Sequence, residues 1–191
     1  MEPFLLVIAG IWIVFLGWLF IPTLVRGGLP AERKSTAYFW QTFAITAIAV
    51  IVISGLARAD PGIFRVAIIP ETALSGVAGT ILVIAGLGFS AYARIHLGKY
   101  WSSMVMIKTG HQLVMTGPYR FVRNPMYTGM IVALLGAVIA IGMTLAFIVF
   151  PLIVVGIWLK IRAEEKLLAG KFGEEYEQYR RDVKALIPWI V

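Results

Sequence analysis

NPMYTGMIVALLGAVIAIGMTLAFIVFPLIVVGIWL, residues 124–159, is a run of 36 residues without a charge, bracketed by Arg123 and Lys160. As one helix it would extend about 54 Å at 1.5 Å per residue. The hydrocarbon core of a bilayer is only about 30 Å thick and is crossed by about 20 apolar residues. Split in two, the run leaves about 16 residues for each arm, which is short for a span. Ile141-Gly142-Met143-Thr144 supplies a turn at its centre, and Pro151 can kink the second arm. The run therefore reads as a hairpin of two short membrane helices.

The rest of the chain has the same character. Residues 3–25, 35–57 and 72–93 also carry no charge, and the whole sequence is 60% hydrophobic and 14% charged. Soluble proteins average roughly 25% charged residues, so a water-soluble globule and a disordered chain are both excluded. Cysteine is absent, which removes disulfides, a thiolate zinc site and a cysteine nucleophile. His96 and His111 stand alone, with no third nitrogen or thiolate ligand, and no metal site is expected. The net charge of +7 comes from residues that punctuate apolar segments. That is the pattern of membrane topology rather than of nucleic-acid binding.

With Phe4–Val25, Tyr38–Ala57 and Val66 to about Ala93 as further spans, the hairpin brings the count to five. Five spans place 15 of the 17 Lys and Arg on one side, leaving Arg58 and Arg65 opposite. The positive-inside tendency then sets the N-terminus outside and the C-terminus in the cytoplasm. The expected fold is an all-α integral membrane protein. Residues 1–93 form three spans. Residues 94–191 form a functional region made of a loop (94–125), the hairpin (126–159) and an amphipathic helical tail (160–191).

Polar chemistry is confined to the loop and the tail. The loop has five Lys or Arg, both histidines and no acid; the tail has seven basic and six acidic residues. Leu168, Phe172, Tyr176, Tyr179, Val183 and Leu186 form a helical apolar stripe in the tail. Such a helix would lie in the interface or fold back over the loop. Gly86-Leu-Gly88 and Gly76-Val-Ala-Gly79 imitate nucleotide-binding glycines, but they lie inside a span and suit helix packing. What stands out is HQLVMTGPYRFVRNPMYTG, residues 111–129, where Gly117-Pro118 and Asn124-Pro125 are rigid breaks. Pro125 suits the first helical position behind an Asn124 cap, and free N–H groups there would suit a carboxylate.

These residues resemble the integral-membrane methyltransferases typified by isoprenylcysteine carboxyl methyltransferase, to which phospholipid methyltransferases are related. The first matching stretch is His111 to Gly129. The second comprises Glu164-Glu165, Leu167, Phe172-Gly173, Tyr176, Tyr179 and Val183. The resemblance implies an S-adenosylmethionine site, with S-adenosylhomocysteine as product. It maps the cofactor onto His111, Gln112, Leu113, Val114, Gly117, Tyr119, Asn124, Pro125, Met126, Tyr127 and Glu164. The chain departs from the family pattern at Asn124, where His is usual, and at Lys160, where Arg is usual.

The resemblance also implies a lipophilic acceptor in or on the bilayer, either a small molecule or a prenylated protein. A carboxylate acceptor is ionised at neutral pH and needs a cation for orientation rather than a base. Lys160, Arg162 and Glu165 are the expected acceptor residues. Arg162 is favoured because its planar fork matches a carboxylate. Other readings are N-methylation of a phospholipid headgroup, a nicotinamide-dependent lipid reductase, and a membrane scaffold without catalysis.

Overall fold

In the computed structural model, residues 2–26, 31–34, 62, 66–101, 106–108 and 112–190 are described. The expected second span, Tyr38–Ala57, and the candidate His111 lie outside the described residues. Five helices are described: α1 (Glu2–Arg26), α2 (Ala73–Leu97), α3 (Pro125–Ile141), α4 (Thr144–Phe172) and α5 (Glu174–Asp182). Two of them, α2 and α4, are long and apolar enough to cross a membrane. Pro3–Trp18 and α3 are shorter apolar helices.

The expectation of a purely helical chain needs one correction. Ala31–Lys34 (β1) pairs antiparallel with Met106–Lys108 (β2), forming a two-stranded ribbon. Helices α1 and α2 run in the same direction, since Phe4 packs on Gly76 at one end and Trp18 meets Arg94 at the other. The segments that follow them therefore emerge at the same end of the bundle and can satisfy each other's backbone groups.

Helix α2 begins later than hydropathy suggests. Thr72 and Ser75 form a capping box, with Ser75 N–H donating to Thr72 Oγ1 (3.2 Å) and Thr72 N–H to Ser75 Oγ (3.1 Å). Residues 66–72 instead run across the tip of the α3–α4 hairpin. There Ile68 N–H donates to Gly142 O (2.8 Å), and Thr144 N–H donates to Val66 O (3.0 Å). The hairpin turns at Gly142, whose φ of 68° lies in the left-handed region. Helix α4 then continues unbroken past Leu159 for 29 residues, to a stop at Gly173 with φ 54°. The tail is thus the end of α4 followed by α5, rather than one amphipathic helix.

The α2–α3 contact sets the position of everything else. Gly79 faces Gly136, and Gly86 faces Gly129, seven residues apart on each helix. A Cβ on Gly86 would lie 2.5 Å from Gly129 O and 2.6 Å from Ala133 N. Ser90 Oγ adds a hydrogen bond to Met126 O (2.7 Å). Lipid is as apolar as leucine, so packing in a bilayer rests on such close backbone approach. Of the glycines expected to pack, Gly79 and Gly86 form this seam and Gly76 meets Phe4 of α1, whereas Gly88 packs against nothing.

A Gly86→Val variant should lose about 1–3 kcal/mol of stability, the usual cost of overpacking. Gly88→Ala, which meets nothing within 4 Å, should be nearly neutral. Thermal melting of the two variants in detergent, side by side, measures the difference.

Candidate functional site

The loop enters the site through a 3-10 turn at Gly117–Arg120. Gly117 has φ 59°, and a Cβ there would fall 2.5 Å from the His96 ring, so the position requires glycine twice over. His96 Nε2 and Thr116 Oγ1 share a hydrogen bond (2.9 Å), and the His96 ring stacks on Tyr119. Tyr119 is buried, donating its hydroxyl to Ala93 O (3.4 Å) and accepting at its own carbonyl from the Tyr179 hydroxyl (2.6 Å). The turn is thereby tied to α2 on one side and α5 on the other. Burial pushes the phenols of Tyr119, Tyr176 and Tyr179 above their ordinary range.

The tail folds back over the loop as a strap. Arg123 N–H donates to Lys184 O (2.8 Å), Asn124 N–H to Ala185 O (3.0 Å), and Thr128 Oγ1 to Leu186 O (2.8 Å). Beneath the strap lies a buried ion pair. Arg123 Nε and Nη2 reach Glu165 Oε1 at 3.0 and 2.9 Å, and both side chains are only 8% exposed. Arg123 Nη1 also donates to Arg180 O (3.1 Å) and Val183 O, so one guanidinium binds α4 to the end of α5. Asn124 occupies the cap position of α3 but makes no side-chain cap. Its amide instead donates to Glu165 Oε1 (3.1 Å) and Ala185 O (3.3 Å). A buried carboxylate is the stronger attractor for that amide than the helix start.

On the neighbouring side of α4, one residue before the ion pair, a second cluster forms at the mouth of the hairpin. Tyr127 donates its hydroxyl to Glu164 Oε1 (2.8 Å), and Lys160 Nζ lies 5.7 Å from the Tyr127 ring centroid. Lys160 and Glu164 are four residues apart and share a helix face. Arg162 is exposed, with its guanidinium over Trp158 at 4.9 Å. Of the two cations weighed from sequence, Lys160 is the one beside Glu164 and Tyr127.

The remaining candidates divide by position. Pro125 is buried at the start of α3, Met126 packs against the α1–α2–α3 core, and Leu113 and Val114 are half-buried in the extended approach to the turn. Gln112 is exposed. Sequence reading missed Arg123, His96 and Thr128. Only Arg123 carried a signal, since a glutamate at a buried helical position needs a counter-charge within reach.

Breaking a buried pair by removing one partner costs about 3–5 kcal/mol. Arg123→Met should therefore destabilise strongly and expose the strap to protease. Adding Glu165→Leu to that variant should recover much of the loss. A double-mutant cycle of melting temperatures, with limited proteolysis after residue 182, measures both effects.

Residues 79–170 match the family model described as the isoprenylcysteine carboxyl methyltransferase family. The protein-S-isoprenylcysteine O-methyltransferase of Schizosaccharomyces pombe is 33% identical over 119 residues, covering 53% of this chain and 49% of that protein. That of Saccharomyces cerevisiae is 33% identical over 125 residues, 62% of this chain and 51% of that protein. Methanethiol S-methyltransferase 1 of Bradyrhizobium diazoefficiens is 42% identical over a shorter 72 residues, 37% of this chain and 24% of that protein. The chain thus spans about half the length of the isoprenylcysteine relatives it matches. With its apolar helices, it is an integral membrane protein. The segment that resembles the isoprenylcysteine carboxyl methyltransferase family, residues 79–170, is the one that carries the glycine seam, the Tyr127–Glu164 contact and the Arg123–Glu165 pair.

Proposed function

We propose that the chain is an S-adenosylmethionine-dependent membrane methyltransferase that methylates the carboxylate of a lipophilic, isoprenylcysteine-like acceptor. The observation that carries this reading is the coincidence of the family match with the Lys160–Tyr127–Glu164 cluster at the mouth of an apolar hairpin. A cation, a phenol and a carboxylate at the end of an apolar hairpin suit a polar cofactor on one side and a lipid-borne substrate on the other.

The residues present fit the cofactor by the chemistry of their donors and acceptors. Glu164 offers a carboxylate for ribose hydroxyls, held in place by the Tyr127 hydroxyl. The first N–H groups of α3 receive no cap from Asn124, whose amide is turned to Glu165, and so suit an amino-acid carboxylate. The extended backbone at Gln112, Leu113 and Val114, with His111 before it and Gly117, Tyr119, Pro125 and Met126 beyond, forms the rest of the expected cradle. When bound, the cofactor supplies a sulfonium methyl that is already activated for transfer.

The chain's own task is then proximity, alignment and exclusion of water. Lys160 orients the acceptor carboxylate beside Glu164, and Arg162 guides it at the exposed rim. Glu165 acts as a positioning residue, holding Arg123 and Asn124 so that the α3 start and the α4 carboxylates keep a fixed separation. A carboxylate oxygen is ionised and gives up no proton, so no general base is required. A thiol acceptor would need one, and Glu164 is the acid closest to that role. The 42% identity to a methanethiol S-methyltransferase makes a small thiol the second reading. The five-span topology, with the N-terminus outside and the strap in the cytoplasm, belongs to the same proposal.

Glu164→Gln and Tyr127→Phe should each weaken S-adenosylmethionine binding by about 1–3 kcal/mol in calorimetry, the scale of a charged or buried hydrogen bond. Unaltered affinity in both would remove the cofactor assignment. Lys160→Met should lower turnover on a prenyl-thioether carboxylate at least about tenfold, or about 1.4 kcal/mol. Arg162→Met should cost less. Turnover on methanethiol or phospholipid amines alone would move the acceptor to those classes. A reporter after Val191 should be cytoplasmic and one in the 60–69 segment outside; both on one side would remove the five-span model.

A further inference from the structure

Between α1 and α2 lies an open groove of about 640 Å³ lined by apolar side chains. Ligand pockets commonly measure about 300–1,000 Å³. Gly10, Val14 and Trp18 form one wall, and Ile84, Gly88 and Ala91 the other. Gly10 and Gly88 both open into space, with nothing within 4 Å of a Cβ built on either. They widen the groove where ordinary side chains would close it. On α2 the groove residues lie roughly a third of a turn from the Gly79–Gly86–Ser90 stripe that faces α3. An occupant here is therefore on a different face from Tyr127 and Glu164.

The two ends of the groove differ chemically. From Val7 to Trp18 it extends about 17 Å along α1, close to the roughly 15 Å depth of one bilayer leaflet. At the Trp18 end stands a cation, for the Arg94 guanidinium lies 4.3 Å over the Trp18 ring and 4.3 Å over the Trp101 ring. Trp18 is thus both a wall of the groove and the platform for the guanidinium. Indole rings at the interface and a stacked guanidinium suit a headgroup anion, which binds the fork edge-on. An apolar slot one leaflet long, ending at a cation, has the charge and length of a single lipid.

We propose that this groove binds one acyl chain of an anionic glycerophospholipid, with Arg94 holding the headgroup phosphate at its end. The proposal is independent of the methyl-transfer reading. It is tested on the full chain in detergent by native mass spectrometry, with equimolar phosphatidylglycerol and phosphatidylcholine added. Wild type should retain phosphatidylglycerol in preference by about fivefold, the scale of one basic residue at an anionic surface.

Arg94→Gln should keep lipid adducts and lose the preference. The Gly10→Leu/Gly88→Leu variant, which fills open space, should lose the adducts. In wild type, a phosphatidylglycerol with a diazirine in its acyl chain should label peptides containing residues 7–18 and 84–91, a measurement that needs no variant to fold. Equal retention of the two lipids by wild type, undiminished adducts in the filled variant, or labelling confined to other helices would overturn the site. Displacement of the lipid by a prenyl-thioether carboxylate would assign the groove to the acceptor and overturn the proposal as well.

Discussion

The carboxylate of Glu165 is the point on which the polar half of the molecule depends. It is buried, flanked on its helix by the buried Ile161 and Ala163, and an uncompensated charge there would cost several kcal/mol. Arg123 and Asn124 both converge on its Oε1. Because those two residues are also where the backbone pairs with Lys184 and Ala185, satisfying one oxygen fixes the loop, the start of α3, the end of α4 and the strap together. Glu164, one residue earlier, is left to face Tyr127 and Lys160 on the neighbouring side of α4. Two adjacent acids thus face different partners: one organises the backbone and the other meets a phenol at the mouth of the hairpin.

This arrangement stands on the glycine seam. With backbone carbonyls of α2 and α3 in near contact, the His96–Tyr119 stack on α2's last turn and the Asn124–Tyr127 turn of α3 are held at fixed separation. Side chains larger than a hydrogen at Gly86 or Gly129 would move these two parts of the site relative to each other. A packing feature inside the membrane thereby controls geometry outside it.

Much of this was legible in the residues, and the exceptions have physical causes. The hairpin and its turn at Gly142 followed from run length, the turn residues and the placement of the basic residues together, and Gly79 and Gly86 were readable as packing because no strand precedes them. The β1–β2 ribbon was not, because strands of four and three residues pair only when the parallel α1 and α2 deliver them to one end. Nor was the true end of α4: Lys160 to Lys171 marks the membrane boundary by charge, yet those residues are good helix formers and the helix simply continues to Gly173. The loop and tail motifs pointed to two segments that pack on each other. Their pairing across about 40 residues was hidden, because periodicity within a helix carries no information about which distant residue covers it. Asn124 illustrates the limit: its position predicts a cap, and a buried carboxylate elsewhere in the chain takes its amide instead.

The unbroken course of α4 has a consequence for how the protein reads its membrane. At 29 residues the helix is about 43 Å long, well over the roughly 30 Å of a hydrocarbon core. The carboxylates at 164 and 165 are therefore carried on the same continuous helix as the apolar residues 144–159, with Pro151 inside that apolar part. A change in bilayer thickness is met by tilt or local deformation, at fractions of a kcal/mol per ångström. On a rod without a hinge between membrane and site, that tilt moves the polar cluster bodily with respect to the headgroup plane. Hydrophobic mismatch then becomes a means by which lipid composition sets the height of the Lys160–Tyr127–Glu164 cluster above the acyl chains.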